Sequence, residues 1–417
     1  MQKRKQKIGD VSYNTTGNSL IDILFMSEYY SKHLKEVRIG DSEKEKLFSM
    51  FIRDGRHGIG KRDLGRRLMY LSEVKAEDIV KAGRFDDLYL LTNKYLETDF
   101  DEHLPYLFEQ IKNGNELAKK WAPRLNSKNK KYAKLICRLN HISEKKYREL
   151  IKCDTVENKL SRHRIDDIIF EHVPSLAMIK YYNRFMKEDR FKEYLESVKK
   201  GEKKLNVSTT TVYDIYRNRN KIDADLFFDK LEKISISCVP IIDTSASMTW
   251  GDTDAYGKAL SIGHYLAKCS TYCNGYAISF SNRPRLMKIE GENYTQQIRS
   301  LHTGDCSNTD FGKVMNLLEE LEELPEYLVV LSDMEFDQGS CQSKNKLQQL
   351  WKQKGYTTKI VWWNFNSRNT TVPELDENGN IYLSGYNPYL LKFLEAGFDG
   401  EQFLNRLLDE YKNNLEK

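Results

Sequence analysis

No run of eighteen apolar residues occurs in the 417-residue chain, which excludes a hydrophobic membrane-spanning helix. The charged start Met1-Gln-Lys-Arg-Lys-Gln-Lys7 has no apolar stretch behind it, so a secretory signal peptide is not expected. The seven cysteines are odd in number, scattered and without Cys-x-x-Cys spacing. That pattern points to reduced thiols in a cytosol-like compartment, and the expected localisation is cytoplasmic. Cys269 and Cys273 stand one helical turn apart, but neither a histidine nor a second cysteine pair accompanies them, and they read as packing residues. No Ser-His-Asp or Cys-His arrangement is legible from spacing, and the chain is not expected to be an enzyme.

What is present is an ordinary globular composition, 40% hydrophobic, with length for about two or three domains. The net charge of +5 conceals a division. Residues 1–220 carry 46 Lys+Arg against 33 Asp+Glu, a balance of +13, whereas residues 221–417 carry 20 against 28, a balance of −8. Such asymmetry implies two domains with different partners, and a basic half implies nucleic acid or another polyanion.

The second half is organised around Asp243-Thr-Ser-Ala-Ser247, at the end of the apolar run Ile234–Ile242. A run of this kind, rich in β-branched residues and ending in small polar ones, predicts a buried strand of a parallel sheet. Open α/β sheets bind ligands in the crevice past their strands' carboxyl ends. Asp-x-Ser-x-Ser there offers one carboxylate and two hydroxyls, all hard oxygen donors suited to Mg²⁺ or Mn²⁺. A second apolar strand, Tyr327–Ser332, delivers Asp333, and Gly304-Asp-Cys-Ser-Asn-Thr309 precedes a helical pattern over 311–324. Strands are also predicted over 275–281, 285–289, 358–364 and 380–384. Helices are predicted over 255–269, 296–301, 344–354, 388–395 and 401–413, giving the alternation of a doubly wound sheet. The aromatic pair Trp362-Trp363 reads as packing under a flanking helix.

These residues resemble the von Willebrand factor A domain and its metal-ion-dependent adhesion site, which takes Asp-x-Ser-x-Ser, a Thr and an Asp from three loops. The resemblance implies that Asp243, Ser245, Ser247, Thr309 and Asp333 hold the ion. A carboxylate from a partner protein would complete its coordination, or equally a phosphate or a carboxylate of the same chain. Asp333, Glu335 and Asp337 alternate, which leaves a two-metal nuclease as a lesser alternative.

The first half shows helical periodicity almost throughout. Helices are predicted over 19–30, 44–53, 63–72, 85–91, 104–111, 132–139, 143–151 and 175–188, joined by short connections. Gly55-Arg-His-Gly-Ile-Gly-Lys61 has the spacing of a phosphate-binding P-loop. That motif needs a strand before it and Ser or Thr after it, whereas here a helical pattern precedes and Arg62 follows. What remains is a basic glycine-rich turn with Arg53, Arg56, Lys61 and Arg62, leading into a helix start that favours anions. The stretch 112–152 is more basic still, with 13 Lys+Arg against 3 acidic residues and with Trp121, Tyr132 and Tyr147 interleaved. Lys119, Lys120, Arg124, Lys128, Lys130 and Lys131 are its candidate contacts to phosphates, and aromatics between cations can stack on unpaired bases. The bland reading is a lysine-rich solvated face over an aromatic core.

Arg53-Asp-Gly-Arg-His-Gly-Ile-Gly-Lys-Arg-Asp63, Gly83-Arg-Phe-Asp-Asp-Leu88 and Lys120-Trp-Ala-Pro-Arg124 resemble the TROVE domain of telomerase, Ro and vault proteins. Val173-Pro-Ser-Leu-Ala-Met178, Ser332-Asp-Met-Glu-Phe-Asp337 and Leu383-Ser-Gly-Tyr-Asn-Pro388 agree with a branch that joins such a module to a von Willebrand A-like domain. The resemblance implies a HEAT-like helical-repeat module over 1–231, of the kind that closes into a ring, and an α/β domain over 232–417. It also implies a Ro-like function, the binding of small structured or misfolded RNA, or of single strands, by the basic module. A protein–protein adaptor whose metal site recruits an acidic ligand is the alternative.

Overall fold

The structure, a computed structural model, describes residues 3–5, 11–13, 18–90, 103–249, 254–304, 311–319, 323–333, 349, 351–365, 381–384 and 400–416. It is a helical module joined to a doubly wound α/β domain. By internal packing the chain forms two compact units, Met1–Lys32 with Pro174–Phe403, and His33–Val173 with Leu404–Lys417.

In the first unit a short antiparallel hairpin pairs β1 (Lys3–Lys5) with β2 (Val11–Tyr13). The main sheet contains β3 (Cys238–Asp243), β4 (Tyr276–Phe280), β5 (Leu286–Lys288), β6 (Tyr327–Ser332), β7 (Lys359–Asn364) and β8 (Ile381–Ser384). Their order is β5-β4-β3-β6-β7-β8, with β5 an antiparallel edge and every other pairing parallel. All six residues of β3 and of β6 are buried, as expected of central strands covered on both faces.

The chain leaves β3 for β4 on one side and later returns to add β6 on the other. The β3/β6 boundary is therefore the point where the winding reverses, and sheets of this order open a ligand crevice there. One sheet face packs Val239, Ile241, Ile278, Phe280, Leu328 and Val330 against Val314 and Leu318 of helix Phe311–Glu319. Trp362 joins that core beside Trp351, while Trp363 is fully buried, so both tryptophans pack as expected from sequence. Helix Ala255–Cys269 covers β3, with its Leu260, Ile262 and Leu266 buried. The same unit also contains helices Ser19–Phe25, Ser27–Lys32, Ser175–Phe185, Asp189–Lys199, Val212–Asn218, Ala224–Asp229 and Tyr294–Ser300.

The second unit is helical. Glu43–Arg53 carries a capping box in which Ser42 and Glu45 satisfy each other's backbone amides, and it pairs with Arg62–Leu71. The turn between them is a helix-to-helix corner, not a phosphate cradle. Asp54 Oδ1 accepts from the amides of Arg56 (2.6 Å) and His57 (3.2 Å), and Ile59 N donates back to the Phe51 carbonyl (2.9 Å). A Cβ at Gly58 would come within 1.9 Å of that carbonyl, so the corner closes only with glycine there. Ala76–Ala82, Asp87–Leu90, His103–Lys112, Glu116–Trp121, Lys130–Leu139, Glu144–Leu150 and Val156–Ser161 follow, and Gly400–Leu415 contributes its buried Tyr411 edge-on to Phe51. Among the described residues no helix is long and apolar enough to cross a membrane.

Candidate functional site

At the β3/β6 boundary four of the five side chains predicted from sequence, Asp243, Ser245, Ser247 and Asp333, lie at or just past the strand ends. Asp243 ends β3 and is wholly buried. Its Oδ1 accepts from the amide of Ser245 (2.9 Å), an Asx turn that folds the loop back over the strand end. The short 3₁₀ turn Ala246–Thr249 then brings the Ser247 hydroxyl to 3.0 Å from that of Ser245. Thr244 is tied down separately, donating its amide to the Phe280 carbonyl at the end of β4 (3.2 Å). From β6, the Ser332 hydroxyl donates to Asp243 Oδ2 at 2.5 Å, and the next residue, buried Asp333, lies close enough to act on the same carboxylate.

Burial drives the Asp243 carboxyl upward to about 7, and the negative charge of Asp333 adds to the rise. The hydrogen bonds from Ser332 and Ser245 oppose it without cancelling it. Two buried carboxylates and two neighbouring hydroxyls past the ends of β3 and β6 form a hard, oxygen-only set. Their charge is costly to leave uncompensated, and the residues present fit a magnesium-sized divalent cation. Thr309 lies outside the described residues, as do Glu335 and Asp337. Among the described residues no three His, Cys, Asp or Glu side chains cluster as a metal site. The described candidates for such a site are Asp243 and Asp333 with the hydroxyls of Ser245, Ser247 and Ser332. Sequence reading missed Ser332. Its position as the last residue of a strand beside Asp243's own was the available signal.

The candidate nucleic-acid residues fall into two groups. Arg53 is turned inward, 5% exposed, with Nη2 2.7 Å from Asp87 Oδ2. Asp87 is fully buried and also accepts from Arg66 Nε (2.6 Å) and the Arg84 amide (2.9 Å). Arg124 clasps backbone, donating Nη1 to the Ile151 carbonyl (3.0 Å) and Nη2 to that of Lys119 (3.1 Å). Both arginines hold the fold together. Lys119 pairs with Glu116 (2.8 Å), and Lys120 stands 3.9 Å from Glu157.

The expected interleaved aromatics are withdrawn as well. Tyr132 and Tyr147 are buried, the latter donating to the Pro123 carbonyl (3.0 Å), and the Trp121 ring is covered by Arg84 at 3.9 Å. Tyr132 and Tyr147 pack the helices, as the bland reading has it, while Trp121 is half-exposed under its arginine.

What stays at the surface is a lysine-rich helical face. Arg56, Arg62, Lys128, Lys130 and Lys131 are exposed, and Lys61 is half-exposed. No acidic residue occurs between Glu116 and Glu144. Helix Lys130–Leu139 buries Tyr132, Ala133, Ile136 and Cys137 and turns Lys130, Lys131, Lys134 and Arg138 outward. At 3.6 residues per turn those four lie on one stripe, about 12 Å long. Among the described residues none of the four, nor Lys128, forms an ion pair. Lys131 rests over the Tyr132 ring at 4.8 Å.

Fold and site together define a two-part protein, a basic helical module carrying a doubly wound domain with an oxygen-lined crevice. Residues 237–416 match the model of a domain of unknown function, DUF7788, and residues 114–235 that of another, DUF2828. The chain is 22% identical over 504 residues to Uncharacterized protein L728 of Acanthamoeba polyphaga mimivirus, across 97% of this chain and 87% of that protein. It is also similar to the crystal structure of the Deinococcus radiodurans RO (RSR) protein, at 12% identity and a TM-score of 0.37, covering 94% of this chain and 86% of that one.

Proposed function

We propose that this chain is a non-enzymatic RNA-binding protein of a reducing, cytoplasm-like compartment. Its basic helical module takes small structured RNA, and its α/β domain carries a Mg²⁺ or Mn²⁺ site of the von Willebrand A kind. The observation that carries the RNA reading is the acid-free stretch between Glu116 and Glu144, which leaves Lys128, Lys130, Lys131, Lys134 and Arg138 exposed without ion pairs among the described residues. Cations so placed displace counterions from a phosphate backbone without first breaking an internal salt bridge. The TROVE-like phrases of the sequence support the same reading. The metal reading is supported by the position of Asp243, Ser245, Ser332 and Asp333 at the reversal point of the sheet.

When bound, a divalent ion there supplies charge neutralisation and an open coordination position for an anionic ligand. The protein's own residues do the rest. Ser332 and the Ser245 amide fix the orientation of the Asp243 carboxylate, and the Ser245 and Ser247 hydroxyls stand beside one another. The test is the nucleic acid that accompanies the purified protein. RNA removed by a salt wash and enriched in structured species supports the proposal. A preparation free of nucleic acid that instead retains an acidic protein in Mg²⁺ favours the adaptor reading.

A further inference from the structure

In the unit that contains the sheet, helix Val212–Asn218 and the first turn of helix Ala255–Cys269 present a stack of aromatic and guanidinium groups. The rings of Tyr213 and Tyr216 lie nearly parallel, 15° between planes and 6.2 Å between centroids. Each bears cations: the Arg219 guanidinium sits 4.2 Å over Tyr216, while Arg217 and Lys258 each lie 5.8 Å from Tyr213. The arrangement is fixed from behind. The Tyr213 hydroxyl donates to Asp254 Oδ2 (2.7 Å), and Arg219 Nη1 donates to the Tyr216 carbonyl (2.6 Å). A Cβ on Gly257 would come within 2.6 Å of the Tyr216 ring, so glycine is what lets the helix lie against it.

A packing pair of tyrosines would be buried, as Tyr132 and Tyr147 are. These two rings are half-exposed, and Arg217 beside them is exposed. The two carboxylates nearby are engaged. Asp254 accepts from Tyr213 and from the Gly257 amide, and Asp214 is held in the capping box with Thr211.

We infer that this stack is a second nucleic-acid site, for a single-stranded RNA segment whose bases extend the Tyr213–Tyr216–Arg219 stack and whose phosphates meet Arg217 and Lys258. Rings and guanidinium planes accept any unpaired base face, whereas bases in a duplex are already stacked on each other. The inference rests on the RNA-binding reading and extends it from backbone charge to base stacking.

The test uses the full chain, with fluorescence anisotropy of a labelled short oligouridine and, separately, of a perfect RNA duplex. Arg217→Glu with Lys258→Glu is expected to weaken oligouridine binding by about tenfold or more while leaving duplex binding near wild type. Because a variant could fail for want of folding, ultraviolet cross-linking of wild-type protein to oligouridine serves as the companion, with adducts expected on Tyr213 or Tyr216. Unchanged oligouridine affinity with adducts elsewhere overturns this site but leaves duplex binding, and the RNA reading, standing. If the wild-type chain binds neither probe, the RNA reading itself falls. If an oligoglutamate displaces oligouridine, the patch serves acidic proteins and the proposal is overturned.

Discussion

Replacing Asp243 by Asn should stabilise the metal-free chain and forfeit the stabilisation that a divalent ion gives wild type. In the metal-free protein, burial and Asp333 push the Asp243 carboxyl up to about 7. The folded state therefore holds a proton that the unfolded chain has released, and stability falls as pH rises from about 4 to about 7. At 1.4 kcal/mol per pH unit, ionising Asp243 in the folded state costs about 4 kcal/mol by pH 8. Asparagine keeps the side-chain oxygen that accepts from the Ser245 amide, and the Ser332 hydroxyl can rotate to accept from its amide group. In chelator at pH 8, Asp243→Asn is thus expected to be more stable than wild type by up to about 4 kcal/mol, a difference that fades toward pH 4. Adding Mg²⁺ closes most of the gap at pH 8. An ion at a hundred times its dissociation constant stabilises a protein that binds it by about 2.7 kcal/mol, and the variant forgoes that gain. Urea denaturation at both pH values, with and without Mg²⁺, reads all four corners. Destabilisation of metal-free Asp243→Asn at pH 8, or equal stabilisation of both proteins by Mg²⁺, would refute the reasoning.

Further outcomes follow from the packing. Asp87→Ala leaves the Arg53 guanidinium buried without its carboxylate, and should destabilise the chain by about 3–5 kcal/mol in urea denaturation. His264 is fully buried with Nε2 3.0 Å from Gln297 Oε1, and burial lowers it to about 4. Its contribution is complete above pH 6.5 and is lost as pH falls toward 4, so His264→Gln should flatten the acid side of the stability–pH curve. Arg124→Ala should lower the melting temperature, because the carbonyls of Lys119 and Ile151 lose their donor. An RNA-binding loss in that variant at unchanged melting temperature would contradict the structural role assigned to it.

The α/β half was legible because its signals are local. The runs Tyr327–Ser332 and Ala255–Cys269 are bounded in the sequence as they are in the fold, and Asp243 and Asp333 lie at the carboxyl ends of β3 and β6 as the strand pattern predicts. The bond from Ser332 to Asp243 spans 89 residues of chain, and no spacing rule reports it. In the helical half, Ala76–Ala82, Glu116–Trp121 and Val156–Ser161 are too short for periodicity to stand out. Asp189–Lys199 carries the pattern, with Phe191, Tyr194, Leu195 and Val198 on its buried face, yet it goes unread when the preceding helical pattern is ended at 188. The expected helix over 19–30 divides at Met26 into two, a break with no proline or glycine to announce it. Arginine is where sequence reading misleads most. Arg53 and Arg56 look alike in the same basic turn, yet one is locked to Asp87 and the other is exposed.

The measurement that bears most directly on the RNA-binding claim is the salt dependence of affinity for a structured RNA. It would compare wild type with a chain in which Lys128, Lys130, Lys131, Lys134 and Arg138 are all changed to Glu. If the five cations each neutralise a phosphate, the wild-type slope of log affinity against log salt contains a contribution of about −4 to −5 from this face. The variant should lose that contribution together with most of its affinity while keeping its melting temperature. Equal slopes and equal affinities in the two proteins would contradict the account.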